Sequence, residues 1–259
     1  MIRATIALVL AAAAPCMAAD LKLKMKAPGG SMANTVYIRG PRQRTELGMS
    51  MPGISNVLLL QCDLHRAVMI NDSLKAYILM PTDEEEQSAP LAAGAKQGGV
   101  ITVTTEARDT GERQQMFGYS AHHIIRDITV ESTPGACTQA SLKMQLDGWY
   151  ADIAPQLSCH ISMRPHSGVQ GKSAAACQDK YQSRNTGYVN NGYPLKETTV
   201  VKTQANRGFP STIEVEELSE QELDPSLFEI PKGYREMHNM KEMTDMSTPA
   251  TPMSHHDHQ

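Results

Sequence analysis

Aromatic side chains are scarce in this chain. Three Phe, eight Tyr and one Trp make up 5% of its 259 residues, so a core has to be filled mainly by Val, Ile, Leu and Met. No apolar stretch approaches the ~20 residues that cross a bilayer as a helix. Basic charge is not in excess either. Lys and Arg number 24 against 28 Asp and Glu, a net charge of −4, which argues against nucleic acid or an anionic membrane surface as partner. Convincing long amphipathic helices and internal repeats are missing from the body. Catalytic signatures are also absent. Gly29-Gly30-Ser31 lacks the Lys and helix of a phosphate loop, and no Ser-His-Asp set sits in a nucleophile elbow. The Asp83-Glu84-Glu85-Glu86 run is too solvated to hold the shifted pKa that acid–base work needs. Cys159-His160 does not read as a nucleophile pair, because neighbours on a strand diverge. The chain therefore reads as a non-enzyme.

What is present begins at the N-terminus. Met1, Ile2 and Arg3 precede an apolar run from Ala4 to Ala14, and Ala18-Ala19 closes it before Asp20. Charge, apolar run and small residues in that order describe a secretory signal over residues 1–19. The run is roughly eleven residues, too short for an anchor. Acylation at Cys16 is disfavoured because Ala13-Ala14-Pro15 is a poor lipoprotein signal. The expected setting is the periplasm or the exterior, with no spanning segment left after cleavage.

Period-two alternation dominates the remainder, the mark of half-buried strands. Leu21, Leu23 and Met25 alternate with Lys22, Lys24 and Lys26. Further strands are expected at Thr35–Arg39, Arg42–Leu47, Asn56–Cys62, His65–Ile70 and Leu74–Met80. Gly40-Pro41 and Asn71-Asp72-Ser73 supply turns. Strands resume at Val100–Ala107, Arg113–Phe117, His122–Val130 and Leu142–Ile153, with Asp109-Thr110-Gly111 read as a turn between the first two. Pro194–Thr203 and Thr212–Leu218 make a last hairpin, and Asp224–Phe228 reads as a helical turn. Pro81–Gly99 reads as a solvated insertion. Residues 154–193 read as irregular, with a short helix near Ala174–Tyr181. The pattern is mainly β and antiparallel, with little helix.

Loss of the signal removes Cys16 and leaves Cys62, Cys137, Cys159 and Cys177. In an oxidising compartment these form two disulfides, with three pairings open. Cys159–Cys177 is favoured because it staples the irregular stretch, and it leaves Cys62–Cys137.

The end of the chain carries the most unusual composition. Met237, Met240, Met243 and Met246 recur every third residue beside His238, and Met253, His255, His256 and His258 follow. Thioether sulfur suits Cu(I) or Ag(I), and imidazole suits Cu(II), Zn(II) or Ni(II), so this Met/His-rich tail, 237–259, is the one candidate metal site, with copper the metal it fits. Steps of three along a helix spread the Met over half its circumference, so they also suit packing on the body. His122-His123 point to opposite faces of a strand and cannot grip one metal together. Arg39, Arg42, Arg44 and Glu46 are expected to pair across strands or line a polar mouth, and Trp149-Tyr150 to anchor the core.

Several stretches together resemble an uncharacterised bacterial domain-of-unknown-function family. They are Tyr37-Ile38-Arg39-Gly40 with Arg42-Gln43-Arg44-Thr45-Glu46, Gln61-Cys62-Asp63-Leu64, Asp109 to Arg113 followed by Met116-Phe117-Gly118-Tyr119, Asp147 to Tyr150, and Leu227 to Tyr234. The resemblance covers nearly the whole of residues 20–237. That family is placed near the periplasmic lipoprotein carriers, the LolA-like half-barrels. It implies a strongly curved antiparallel sheet over 20–236 whose concave side holds an apolar or lipid-like small molecule, with outer-membrane or envelope components as further partners. It carries over no catalytic residue. The carriers lid their concave face with helices, which this chain largely lacks.

Overall fold

The computed structural model describes residues 19–26, 33–48, 56–81, 96–157, 159, 177–187, 192–203, 208, 210–238 and 242–243. Thirteen strands of these residues form one sheet. They are β1 (Leu21–Lys26), β2 (Ala33–Arg39), β3 (Arg42–Glu46), β4 (Val57–Gln61), β5 (Arg66–Asn71), β6 (Ala76–Pro81), β7 (Lys96–Met116), β8 (Tyr119–Ser132), β9 (Ser141–Ala151), β10 (Cys177–Gly187), β11 (Tyr193–Thr203), β12 (Ser211–Glu220) and β13 (Arg235–Glu236). Their spatial order is β10-β7-β8-β9-β11-β12-β1-β2-β3-β4-β5-β6-β13. Neighbours run antiparallel except for β10 beside β7 and β13 beside β6, which are parallel. No described helix is long and apolar enough to cross a membrane.

The sheet is strongly curved and does not close. Ala121 on β8, Ala151 on β9 and Leu195 on β11 share one buried cluster with Leu21, Leu23 and Met25 on β1 and Val36 and Ile38 on β2. In a flat sheet β8 and β1 would be four strand spacings, roughly 19 Å, apart. Tyr119 on β8 also donates a hydrogen bond to Glu220 at the end of β12. Curvature, with the bulges in β11 and β12, brings these ends together; the inner side is the one toward which Leu21, Leu23 and Met25 point.

Partners across a ladder share a face, so the inner face can be followed strand by strand. Leu23 pairs with Val36, Val36 with Thr45, Thr45 with Leu58, Leu58 with Met69 and Met69 with Ile78. The outer face follows Lys24, Thr35, Glu46, Val57, Ile70 and Tyr77. Both faces of β4 and β5 are covered, which is why they read as almost unbroken apolar runs rather than alternating ones. On the outer side, Ile230 and Tyr234 lie against Val57, Leu59, Val68 and Ile70. On the inner side, Leu157 and Cys159 lie against Leu60 and Ala67.

The segment after β12 wraps the β6 edge. Asp224 caps a short 3-10 turn, Pro225–Phe228, by accepting from the Ser226 N–H at 2.9 Å. Gln61 Nε2 donates to the Phe228 carbonyl at 2.8 Å and holds this segment on the outer face. Then β13 pairs with β6, and Met237 and Met243 bury against Ala76 and Ile78 on the inner face.

Several expectations are corrected. Asp109-Thr110-Gly111 does not reverse the chain. It is a bulge inside the continuous β7, where Asp109 pairs with Ile124 but Arg113 with His122. An Asx-type bond from the Gly111 N–H to Asp109 Oδ1 (2.8 Å) and a positive φ at Gly111 (87°) serve a bulge as well as a turn. The true hairpin lies at Phe117-Gly118, both with positive φ (52° and 86°). The helix expected near Ala174–Tyr181 is replaced, from Cys177 on, by the edge strand β10, while 174–176 lie outside the described residues. Its sequence CQDKYQSRNTG has no apolar alternation, because an edge strand is held by its ladder rather than by a buried face. The expected insertion 81–99 is shortened from its far end, since Lys96 to Gly99 belong to β7; residues 82–95 lie outside the described residues.

The disulfide pairing differs as well. Cys62 bonds to Cys159, and Cys137 to Cys177, rather than Cys159 to Cys177 and Cys62 to Cys137. The parallel run of β10 along β7 carries Cys177 to the β8–β9 loop that holds Cys137. Asp179 fastens the same corner, accepting from the backbone N–H groups of Gly99 (3.0 Å), Cys137 (2.7 Å) and Thr138 (2.9 Å). A strand without an apolar pattern hid that approach.

Candidate functional site

The long strands β7, β8, β9 and β11 extend the inner face away from the packed core. Met25 pairs with Val215, and Ile213, two residues back on β12, pairs with Glu197. Glu197 pairs with Gly148, and Gly148 with Ile124. Farther along, the same face carries Val103 and Thr105 on β7, Ile128 and Val130 on β8, Leu142, Met144 and Leu146 on β9, and Thr199 and Val201 on β11. The opposite face of these strands carries Thr102, Thr104, Asp127, Thr129, Glu131, Lys143, Gln145 and Lys202. The inner phase is thus the more apolar one, with Ile125 and Val200 among the apolar residues of these strands on the opposite phase.

Val103, Ile128, Val130, Leu142, Met144, Leu146 and Val201 are each half-buried. Among the described residues none of them belongs to a packed apolar cluster. A contiguous apolar patch that the protein's own core does not take up is the usual mark of a binding surface. Covering it gains about 25 cal/mol per Å² of apolar area, before the costs of association.

One end of this stripe is polar. On the inner face, β8 carries His122, Ile124 and Arg126 just before Ile128. Tyr150 is 1% exposed, and a Cβ on Gly148 would stand 3.0 Å from the Tyr150 ring and 2.6 Å from the Lys196 carbonyl oxygen. Only glycine leaves that ring its place. The Tyr150 hydroxyl donates to Glu197 Oε2. Burial, then the Glu197 charge, pushes the Tyr150 hydroxyl pKa well above its ordinary value, so it stays a donor. The Arg126 guanidinium stands 4.5 Å above the Tyr150 ring, with its Nη2 3.8 Å from Glu197 Oε2. Arg126 Nε and His122 Nδ1 are buried and find no hydrogen-bond partner among the described residues. An unmet buried donor costs roughly 1–3 kcal/mol.

A second polar region lies elsewhere. A cleft of about 1010 Å³ is lined by residues that include Asp20, Arg39, Arg42, Asp63, Gln156 and Glu229. Its charges answer one another. Arg42 reaches Asp63 at 2.7 Å and Glu229 at 2.5 Å, and Arg39 donates to the Leu223 carbonyl at 2.5 Å. Arg44 pairs with Glu46 at 2.8 Å. The Arg42 guanidinium beside Asp63 holds that carboxyl below the usual carboxylate range. Of the expectations for these residues, Arg39 and Arg42 reach partners beyond their own strands and line the cleft, while Arg44 pairs with Glu46 along its own strand rather than across strands.

On the other phase of β8 and β9, where Trp149 also packs against the Leu23 cluster, His123 stacks on Trp149, ring centroids 4.9 Å apart, and lies 2.8 Å from Asp147 and 3.1 Å from the Thr110 hydroxyl. The arrangement outlines a hydroxyl–imidazole–carboxylate row. Thr110 Oγ1, however, donates to the His123 carbonyl (3.3 Å) and accepts from the Glu112 N–H (3.3 Å), so it braces the β7 bulge. Both His122 and His123 are half-buried.

The Met/His series divides. Met237 and Met243 are buried in the apolar cluster on β6, and His238 is exposed. Met240, Met246, Met253, His255, His256 and His258 lie outside the described residues, as do Asp83 to Glu86, Gly29 to Ser31 and His160. Among the described residues no group of three or more His, Cys, Asp or Glu could hold a metal ion. Sequence reasoning missed the Arg126–Tyr150–Glu197 cluster. The one signal for it was a lone Arg on the apolar phase of an otherwise Ile- and Val-bearing strand.

Fold and site together define an open, strongly curved β-sheet protein with an apolar inner face. The chain belongs to the family described as "Domain of unknown function (DUF4412)", which matches residues 19–151. No curated protein matches it. Similar solved structures include one of PNGF-II in the C2 space group (12% identity, 89% of this chain and 33% of that one, TM-score 0.43). Another is an uncharacterized conserved protein from Thermus thermophilus (9% identity, 86% and 92% coverage, TM-score 0.38). A third is a LolA superfamily protein from Nitrosomonas europaea (7% identity, 82% and 88% coverage, TM-score 0.28). The chain spans about a third of the first of these (33%). At such scores the likenesses carry no argument about activity.

Proposed function

We propose that this is an exported, non-enzymatic binding protein that holds an apolar or lipid-like molecule on the inner face of its curved sheet. The observation that supports it is the stripe formed by Val103, Ile128, Val130, Leu142, Met144, Leu146 and Val201, apolar on one phase of four strands and outside the packed core. Export is supported by two cross-links, Cys62–Cys159 and Cys137–Cys177, of the kind kept in oxidising compartments, and by the signal-like residues 1–19. The test is to purify the protein from its own host, extract it with organic solvent and identify co-purifying lipid by mass spectrometry. In parallel, the emptied protein is titrated with 1-N-phenylnaphthylamine. Stoichiometric lipid and a saturable rise in fluorescence are expected. Absence of both would remove the reading.

A second reading attaches to the Met/His composition beyond Met243, where soft and imidazole ligands are concentrated. There the protein would hold copper or silver through its tail, with the sheet as platform.

A further inference from the structure

We propose that the molecule held on the inner face is an amphiphile with an anionic head, carboxylate or phosphate, and that Arg126 receives that head. This deepens the binding-protein reading above and rests on it.

Arg126 is the cation on the inner phase of β8 next to the apolar stripe. Its side chain is 18% exposed, so an incoming group can reach it without unfolding anything. The Tyr150 ring beneath the guanidinium fixes its height over the sheet, 4.5 Å away. Its counter-charge, Glu197, stands at 3.8 Å, outside hydrogen-bond range, and accepts from the Tyr150 hydroxyl instead. Among the described residues the Nε–H is left with no acceptor. A guanidinium presents its donors as a planar fork that matches carboxylate and phosphate oxygens. The positive charge is thus balanced nearby, while one buried donor remains to be met by an acceptor from elsewhere.

The apolar stripe begins at the next inward residue. From Arg126 the inner phase continues through Ile128 to Val130, roughly 14 Å at about 3.4 Å per residue. Leu146, Met144 and Leu142 face these three positions in order across β9, and Ala107, Thr105 and Val103 face them across β7. Head site and tail track therefore share one strand direction. His122, two inner positions beyond Arg126 on the other side, adds a second buried nitrogen, Nδ1, with no hydrogen-bond partner, although Asp109 Oδ2 stands at 3.7 Å. The polar end is a patch rather than a single atom. A ligand with no polar group would leave both nitrogens unmet.

The test uses the full chain, delipidated, and competition against 1-N-phenylnaphthylamine with four probes of one chain length: dodecanoate, dodecyl phosphate, dodecanol and dodecylamine. At least one of the two anions is expected to bind tenfold or more tightly than dodecanol, and dodecylamine no better than dodecanol. Which anion is preferred separates a fatty-acid head from a phosphate head. In Arg126→Gln the anion is expected to fall to the dodecanol level while dodecanol itself is unchanged, and Arg126→Lys to keep part of the preference. Equal binding of anion and alcohol by the wild type, or a preference that survives Arg126→Gln, would overturn the head-group assignment while leaving the apolar face standing. If none of the probes, 1-N-phenylnaphthylamine included, binds at all, the apolar-face reading fails and takes this proposal with it. Circular dichroism checks each variant. Should Arg126→Gln not fold, the wild-type comparison and Arg126→Lys decide.

Discussion

Tyr119 and Glu220 are hydrogen-bonded although β9 and β11 lie between their strands. The contact is a chord across the arch of the sheet, and it ties the free arm of the β7–β8 hairpin to the end of β12. Tyr119→Phe is expected to lower stability by about 1 kcal/mol, the worth of one such bond at a partly exposed site. Faster hydrogen exchange should be confined to the Arg113–Ala121 arm. Uniform exchange changes throughout the sheet would contradict the assignment.

Alkaline pH should weaken the fold through its tyrosines. Burial and Glu220 raise the Tyr119 pKa to about 12, and burial first of all raises those of Tyr150 and Tyr193. A raised value means that the native state holds the proton longer than the unfolded chain, whose tyrosines titrate near 10. Stability is therefore full below about pH 10 and falls as pH climbs toward 12. Thermal melting followed from pH 8 to 12 should show that decline, and it should be smaller in Tyr150→Phe. A melting temperature flat across this range would refute it.

The two cross-links should differ in weight. Their loops span 97 and 40 residues, for which chain-entropy arguments give roughly 4.7 and 3.9 kcal/mol. Non-reducing digestion and mass spectrometry should recover Cys62 with Cys159 and Cys137 with Cys177. Replacing the Cys62–Cys159 pair by Ser should lower the melting temperature more, because that bridge also lies in the inner cluster with Leu60 and Ala67.

Gly148→Ala should destabilise the protein by roughly 1–3 kcal/mol, as overpacking does. The new methyl would meet the Lys196 carbonyl and the Tyr150 ring. Denaturant unfolding reads the loss directly, and a neutral result would mean that Tyr150 is not seated over β9.

Met144→Arg probes the stripe. Met144 is half-buried and outside the packed core, so stability should change by less than about 1 kcal/mol. Binding of 1-N-phenylnaphthylamine should fall at least tenfold. For the tail, silver or copper titration of the full chain against a chain ending at Met243 should show binding lost in the shorter one. Equal binding would place any metal elsewhere.

Most of the arch was legible in alternation alone. Leu21, Leu23 and Met25 against three lysines announce a half-buried strand, and Gly40-Pro41 and Asn71 to Ser73 mark hairpins that exist. Two failures share a cause. Asp109-Thr110-Gly111 carries turn chemistry, yet the local bonds that reverse a chain also insert a bulge, and only the partner strand decides between them. Cys177 to Gly187 has no buried face to betray it, so neither the strand nor the disulfide pairing that depends on it could be read. The inner stripe was implicit in the phase of Ile128, Val130, Leu142 and Met144. Its polar end was not, because Arg126, Tyr150 and Glu197 come from three strands, and the bulge between Pro194 and Lys196 sets the register that brings Glu197 to the same face.

The wrap of Asp224 to Met237 covers the β6 edge of the sheet through the pairing of Arg235 and Glu236 with Ala76 and Tyr77. Until Arg235 and Glu236 dock, the outward N–H and C=O groups of β6 stand open to any extended peptide. A chain nicked or terminated before Arg235 would thus expose an adhesive seam, and precipitation by strand addition, rather than simple unfolding, is the failure expected of it.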